Sequence, residues 1–294
     1  MLNFKSPTLE DLYWVRPIFQ NSETFGSDNT FGNIFFWKNS TKIKILKYKD
    51  FLLRFYEDNV PKYRFPFGNG NIKEAIDLLK YDAKKRNINL VFGGITEEEK
   101  NILEELMPGN FEYFEEQNRE DYIYKTDDLI NLRGKKYHSK RNHVSKFKKN
   151  YNWEYFDIKK ENISECKDFI NEWFERNLSN KDPDILEEKV ALCEALDNFK
   201  FFDLFGGVIL VDSKIVGLTI AEKINEKIVD VHFEKAFTEF DGIYAMINSE
   251  FARRRLNSFE YINREEDLGI EGLRKSKKSY HPHIILKRYE ARLK

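Results

Sequence analysis

From Leu132 to Asn150 the chain carries Arg133, Lys135, Lys136, His138, Lys140, Arg141, His143, Lys146, Lys148 and Lys149, with no carboxylate among them. Such a concentration of positive charge suits an anion: a phosphate, an RNA backbone or a lipid headgroup. Arg133, Lys136, His138, Lys140, Arg141 and Asn142 are the candidate contacts. The plainer alternative is a solvated basic helix. A second block, Asn263-Arg264-Glu265-Glu266-Asp267, runs from a strand end into a helix start. Carboxylates there would orient or deprotonate an attacking amine or hydroxyl, with Asp267 the candidate, and Asn263, Arg264 or Arg274 would hold the substrate's polar groups. Capping of the next helix is an equally good account of Asp267.

A third group is His232 and Glu234, followed by Asp241-Gly242-Ile243-Tyr244. Glu234 is a candidate for recognising a substrate amine, with His232 beside it. A glutamate paired with a lysine across a sheet is the competing explanation. Gly242 and Tyr244 lie where a loop meets a helix N-terminus, which offers backbone N–H groups to a phosphate or a developing oxyanion. No metal site is expected. His138 and His143 are five apart, His281 and His283 flank a proline, and neither Cys166 nor Cys193 belongs to a CxxC pair. The chain has no GxSxG, Walker or dinucleotide fingerprint, which argues against hydrolase, NTPase and dehydrogenase chemistry.

The elements that must position these residues alternate between helical and extended patterns, an α/β or α+β class. The first half reads as a helix from Leu9 with Thr8 as its cap, a short aromatic helix around Phe31–Trp37, and a hairpin of Lys42–Tyr48 with Phe51–Tyr56. A strand at Tyr63–Phe67, a helix over 72–85, a strand at Asn89–Phe92 and a helix at Glu97–Leu106 follow. The second half reads as a helix at Cys166–Asn177, a hairpin of Gly207–Val211 with Ile215–Lys223, a strand at Lys227–Glu234, and a helix at Ile243–Arg255. A strand at Phe259–Ile262 and a helix from Ile270 to Lys278 complete it. Element order repeats although residue identity between the halves is negligible, so two domains are expected, 1–125 and 126–294. One continuous mixed sheet is the alternative. The repeated order matches a tandem GNAT fold with two mixed sheets flanked by helices. In a GNAT unit the third long strand splays from its successor.

The 294 residues are 41% hydrophobic and 15% aromatic, ample for packed cores, and 34% charged with a net charge of only −1. A globally basic nucleic-acid binder is therefore not indicated, and any polyanion site must be local. No apolar run reaches the roughly 20 residues that span a bilayer. The first residues lack an apolar leader core and the cysteines are sparse, so a cytoplasmic location is expected.

The run Leu129-x-x-Leu132-x-Gly134-Lys135-Lys136-Tyr137-His138-x-Lys140-Arg141-Asn142-His143 resembles a motif of a bacterial family grouped with the C-terminal catalytic domain of lysylphosphatidylglycerol synthases. Asn263–Pro282 and Ser27-Asp28-x-Thr30-Phe31-x-Asn33-x-Phe35-x-Trp37 are similar to the same family. The resemblance implies the tandem GNAT fold shared with Fem-type aminoacyltransferases. It also implies transfer of an aminoacyl group from aminoacyl-tRNA to an amine or hydroxyl, with the basic helix meeting the tRNA. Peripheral contact with an anionic membrane is a further implied partner. The synthases usually carry a large membrane-embedded region that this chain does not show. Ordinary GNAT acetyltransferases cradle coenzyme A with Gln/Arg-x-x-Gly-x-Gly/Ala. Aligned on Gly242, this chain has Glu239 and Tyr244 at the first and last of those positions. Acyl-coenzyme A as donor to a small amine, or a GNAT-fold binding protein without chemistry, are the competing readings.

Overall fold

A computed structural model describes residues 1–177 and 183–294. The chain divides into two compact units, each assembled from separated stretches. The first takes Met1–Asp121, Glu266–Arg274 and Ile285–Lys294, and the second takes Tyr122–Glu265 and Lys275–Ile284. A single cut between 125 and 126 misses this interleaving, because the last strand of the chain completes the first sheet.

In the first unit the sheet runs Ile43–Tyr48, Phe51–Tyr56, Lys62–Tyr63, Val91–Ile95, Tyr289–Leu293 and Phe111–Glu115, with Phe67–Gly68 also pairing Phe51–Tyr56. The strand expected over Tyr63–Phe67 is two short pieces. Pro66 has no N–H for the ladder, and Arg64 turns to an ion pair with Asp28. Tyr63 and Phe92 pair in parallel, and the helix Ile72–Arg86 makes the crossover. That helix is capped by Asn71, whose side chain accepts from the Glu74 N–H, and ends at Asn87 in the left-handed region. Leu53, Phe55, Tyr63, Ile76, Leu79, Phe92, Leu103 and Ala291 fill the core.

The Ser27-Asp28 motif is explained here. Asp28 pairs with Arg54, Arg64 and Arg288, and Arg288 also pairs with Asp121 at 2.7 Å. Burial pushes the Asp28 carboxyl pKa up, but the three guanidinium groups outweigh it and hold the group far below the usual carboxylate range.

The other sheet, whose strands belong to the second unit except for Asp121 and Ile285–Leu286 at strand ends, runs Ile284–Leu286, Asp121–Lys125, Tyr261–Asn263, Ile228–Ala236, Lys214–Lys223, Phe205–Val211 and Trp153–Asp157. Its hairpin turns at Asp212 and Ser213, both at positive φ. Again one parallel pair, Ile228–Ala236 with Tyr261–Asn263, is joined by a helix, Ile243–Arg255. The repeated parallel crossover is the structural form of the duplication read from element order. The basic segment forms a short turn at Lys135–Tyr137 and the helix His138–Asn150, with Tyr137 and Phe147 buried. A helix at Pro183–Asp197 also forms, which the periodicity did not single out.

Candidate functional site

The two central strands of the second unit part company. Ile228, Val229 and Asp230 pair with Tyr261, Ile262 and Asn263, after which Ile228–Ala236 continues alone on that side. A register shift on the other side places Ile220 opposite Phe233 and Ala221 opposite Val231, which leaves His232 as the extra residue of a bulge. A bulge resets the in–out alternation of a strand. Glu234 consequently emerges beside Arg264, Tyr124 and Tyr280, while Asp230 stays level with Glu222.

At this fork Arg264 Nη2 donates to Glu234 Oε1 at 2.9 Å, and both side chains are mostly buried. Glu234 thus pairs with an arginine from the next strand. The neighbouring Lys235 is the residue that pairs with a helix carboxylate, Glu188, at 2.7 Å. The Lys140 ammonium lies 3.9 Å from the centroid of the Tyr280 ring, and the Arg264 guanidinium is 5.0 Å from the same centroid. Burial and the Arg264 charge bring the Lys140 pKa down to about 8, against a smaller upward pull from Glu234. The Tyr244 hydroxyl donates to the Ala236 carbonyl at 3.4 Å, and burial with the Glu234 charge pushes its pKa up to about 12.

Beneath the fork His232 is enclosed by acids. Its Nε2 is 3.2 Å from Glu222 Oε2, and its Nδ1 is 3.2 Å from Glu265 Oε1 and 3.3 Å from Asp230 Oδ2. Burial lowers the imidazole pKa, but the hydrogen bonds the ring donates to Glu222 and Glu265 and the charge of Asp230 overcome it and hold the group at about 10. The ring is therefore a cation that donates from both nitrogens at neutral pH. Ligand atoms of Asp230, His232 and Glu265 lie within 4.8 Å of one another, a spacing that could hold a metal ion. The histidines weighed as metal ligands in the sequence were 138, 143, 281 and 283, whereas His232, singled out there beside Glu234, is the one that gathers carboxylates, from Asp230 in its own strand and from Glu222 and Glu265.

The loop leaving the fork is tightly held. Asn263 Oδ1 accepts the Glu265 N–H at 2.7 Å, and the Lys277 ammonium donates to the carbonyls of Arg264 at 2.5 Å and Glu265 at 3.1 Å. Glu265 sits at φ +57, so the local backbone is strained and needs these ties. Asn263 shapes this turn. Asp267 and Arg274 belong to the first unit and pair with each other: Nε to Oδ2 at 2.7 Å and Nη2 to Oδ1 at 2.9 Å. Asp267 Oδ1 also accepts the Gly269 N–H at 2.8 Å. Fully buried and doubly engaged, Asp267 organises the turn before the helix Glu271–Lys278.

Gly242 begins the helix Ile243–Arg255 at φ +89, and a Cβ there would stand 2.5 Å from the His143 carbonyl oxygen. The backbone of the basic helix packs against this glycine. In the basic run, Arg141 donates to the carbonyls of Leu132 and Gly134, closing the turn ahead of its helix. Lys136 is 3.7 Å from Asp128, and Asn142 Nδ2 is 3.2 Å from His138 Nε2. Arg133, Lys135, His138, Lys146 and Lys149 are exposed. A hollow of about 530 Å³ in the same unit, lined by Tyr155, Asp157, Asn162 and Arg254 among others, includes no fork residue.

Residues 19–292 match the family model for the C-terminal domain of phosphatidylglycerol lysyltransferase. The chain belongs to that family. This lysyltransferase-family chain is 39% identical, over all of both chains, to a conserved protein of unknown function from Bacteroides thetaiotaomicron, with a TM-score of 0.95. The L-PGS of Bacillus licheniformis has the same fold at 14% identity, with a TM-score of 0.70 over 100% of this chain and 94% of that one. A tandem GNAT protein from the clavulanic acid biosynthesis pathway superposes at 9% identity and a TM-score of 0.50, covering 99% and 98%. The chain spans about half the length of the curated relative it matches, 54% of an uncharacterised Mycoplasmoides gallisepticum protein at 25% identity. Two mixed sheets flanked by helices make this a tandem GNAT architecture, and family and fold together support an acyltransferase. No helix among the described residues is long and apolar enough to cross a membrane.

Proposed function

We propose that this chain transfers an aminoacyl group from aminoacyl-tRNA to an amine or hydroxyl acceptor, at the fork of the second unit. The observation that carries this reading is the Glu234–Arg264 pair at the point where the strands separate, with Lys140 on the adjoining Tyr280 ring. Glu234 gives an ammonium group a buried carboxylate partner, and Arg264 with Lys140 offers positive charge to an acyl oxygen as it gains charge. Such a site works by positioning the reactants and by standing charges aimed at the transition state. His232 acts as a positioning residue by holding Glu265 beside the fork. The exposed cations of the basic run receive the phosphates of the tRNA, and Tyr244 lines the approach. Asp267 and Arg274 keep the loop that follows in place.

Glu239 and Tyr244, standing where a coenzyme A loop has Gln or Arg and its second small residue, favour an aminoacyl donor over coenzyme A, because an acid repels a pyrophosphate and a ring crowds its approach to the backbone. The test is single-turnover transfer from charged tRNA to a panel of amine and hydroxyl acceptors, phosphatidylglycerol among them. Glu234→Gln is expected to slow transfer by roughly a hundredfold or more, the scale of a lost electrostatic contact. Absence of transfer from every charged tRNA, with acylation of an amine from an acyl-coenzyme A instead, refutes the reading.

A further inference from the structure

The fork holds more positive charge than its own carboxylate neutralises. Arg264 gives one arm, Nη2, to Glu234, while its Nη1 is buried without a hydrogen-bond partner. Lys140 makes no hydrogen bond or ion pair among the described residues and rests on the Tyr280 ring. A half-buried ammonium and a buried guanidinium arm thus share a single carboxylate, Glu234. Leaving charged donors unmet in a partly dry site costs stability, and a protein retains that arrangement where a ligand meets them. Burial and the nearby guanidinium already weaken the hold of Lys140 on its proton.

We propose that Lys140 and the Nη1 arm of Arg264 form the seat for one phosphate group of a phosphate-ester ligand. The inference deepens the transferase reading, which it needs only for the identity of that ligand. A tetrahedral phosphate offers several acceptor oxygens, enough for an ammonium and a guanidinium N–H together. Further cations, Arg133, Lys135, Lys136, Lys146 and Lys149, lie along the same run without an intervening carboxylate. A string of phosphates matches that run, whereas a lone carboxylate does not. The Tyr124 and Tyr280 rings supply an apolar wall, and Tyr137 and Tyr124 fix it by donating to the carbonyls of Tyr280 and Lys277 at 3.0 and 2.8 Å.

The experiment is calorimetric titration of the whole chain with inorganic phosphate at constant ionic strength. Wild type is expected to bind phosphate saturably, and Lys140→Met to weaken it about tenfold or more, the scale of a charge-assisted contact. Lys140→Arg, which keeps the charge, should retain most of the affinity, and Lys214→Met, at an exposed lysine of the strand Lys214–Lys223, should change it less than about twofold. Competition by a short 3′-terminal RNA or by pyrophosphate then identifies the source of the phosphate. No saturable binding by wild type, or equal losses in Lys140→Met and Lys214→Met, overturns the seat. A working seat in a chain that transfers nothing sinks the transferase reading alone. Transfer that survives with no phosphate binding sinks the seat alone.

Discussion

His232 is the most informative residue to exchange, because its charge answers three carboxylates at once. His232→Gln keeps a planar side chain able to hydrogen-bond but removes the cation, stranding Glu222, Asp230 and Glu265 together. The wild-type imidazole is held at about 10 against an ordinary value of 6.5. At about 1.4 kcal/mol per pH unit that difference corresponds to roughly 5 kcal/mol in full. Removing one member of a buried ionic cluster costs on the order of 3–5 kcal/mol, so the two scales agree. A group whose folded pKa lies above its unfolded one stabilises fully below the unfolded value and loses that contribution as pH rises towards the folded one. The expected result is a gap of about 3–5 kcal/mol between wild type and variant at pH 6, shrinking steadily as pH approaches 10. Urea unfolding of both proteins across pH 6 to 9.5, at matched salt, measures it. A gap independent of pH, or one below about 1 kcal/mol at pH 6, would show that His232 is not the cation of this cluster.

Three further outcomes follow from the same reasoning. Asp28→Asn leaves Arg54 and Arg288 buried with one carboxylate fewer and should cost about 3–5 kcal/mol in the first unit, read by chemical unfolding. Because its carboxyl pKa is depressed, the wild-type contribution is present above about pH 4 and is lost only as pH falls below that. Gly242→Ala forces an L side chain to φ +89 and into the His143 carbonyl, so a loss of about 1–3 kcal/mol is expected, with faster amide exchange in the His138–Asn150 helix. Replacing exposed Lys135 and Lys146 together by glutamine should flatten the salt dependence of tRNA binding by about two counterions while leaving the melting temperature nearly unchanged; an unaltered slope would remove the basic run from the interface.

Much of this molecule was legible before folding was considered. Alternating hydrophobic runs and turn residues marked the hairpins and the crossover helices, since amphipathic periodicity is a local property. The basic run announced itself because charge composition needs no tertiary contact to be counted. Lys140, Glu234 and Arg264 were each singled out, yet nothing in their spacing tied them to one another. The acids around His232 come from Glu222, Asp230 and Glu265 on three different strands or their loop. An Asp-x-His-x-Glu alternation within one strand was the available signal for part of that cluster. It misleads, however, because the bulge at His232 turns Glu234 to a different neighbourhood from Asp230.

The chain alone determined the class of fold, the two-fold repetition and the place of the basic helix, all of which follow from pattern and composition within short windows. Tertiary structure decided which charges meet. Arg141 and Asn263 shape turns, Asp267 and Arg274 lock each other, and Gly242 lies under the His143 carbonyl. Lys140 is distinguished from its equally basic neighbours only by the Tyr280 ring and the Arg264 charge beside it. The physical reason is range: periodicity acts over a few residues, whereas burial and Coulomb energy depend on neighbours that only the closed fold brings near.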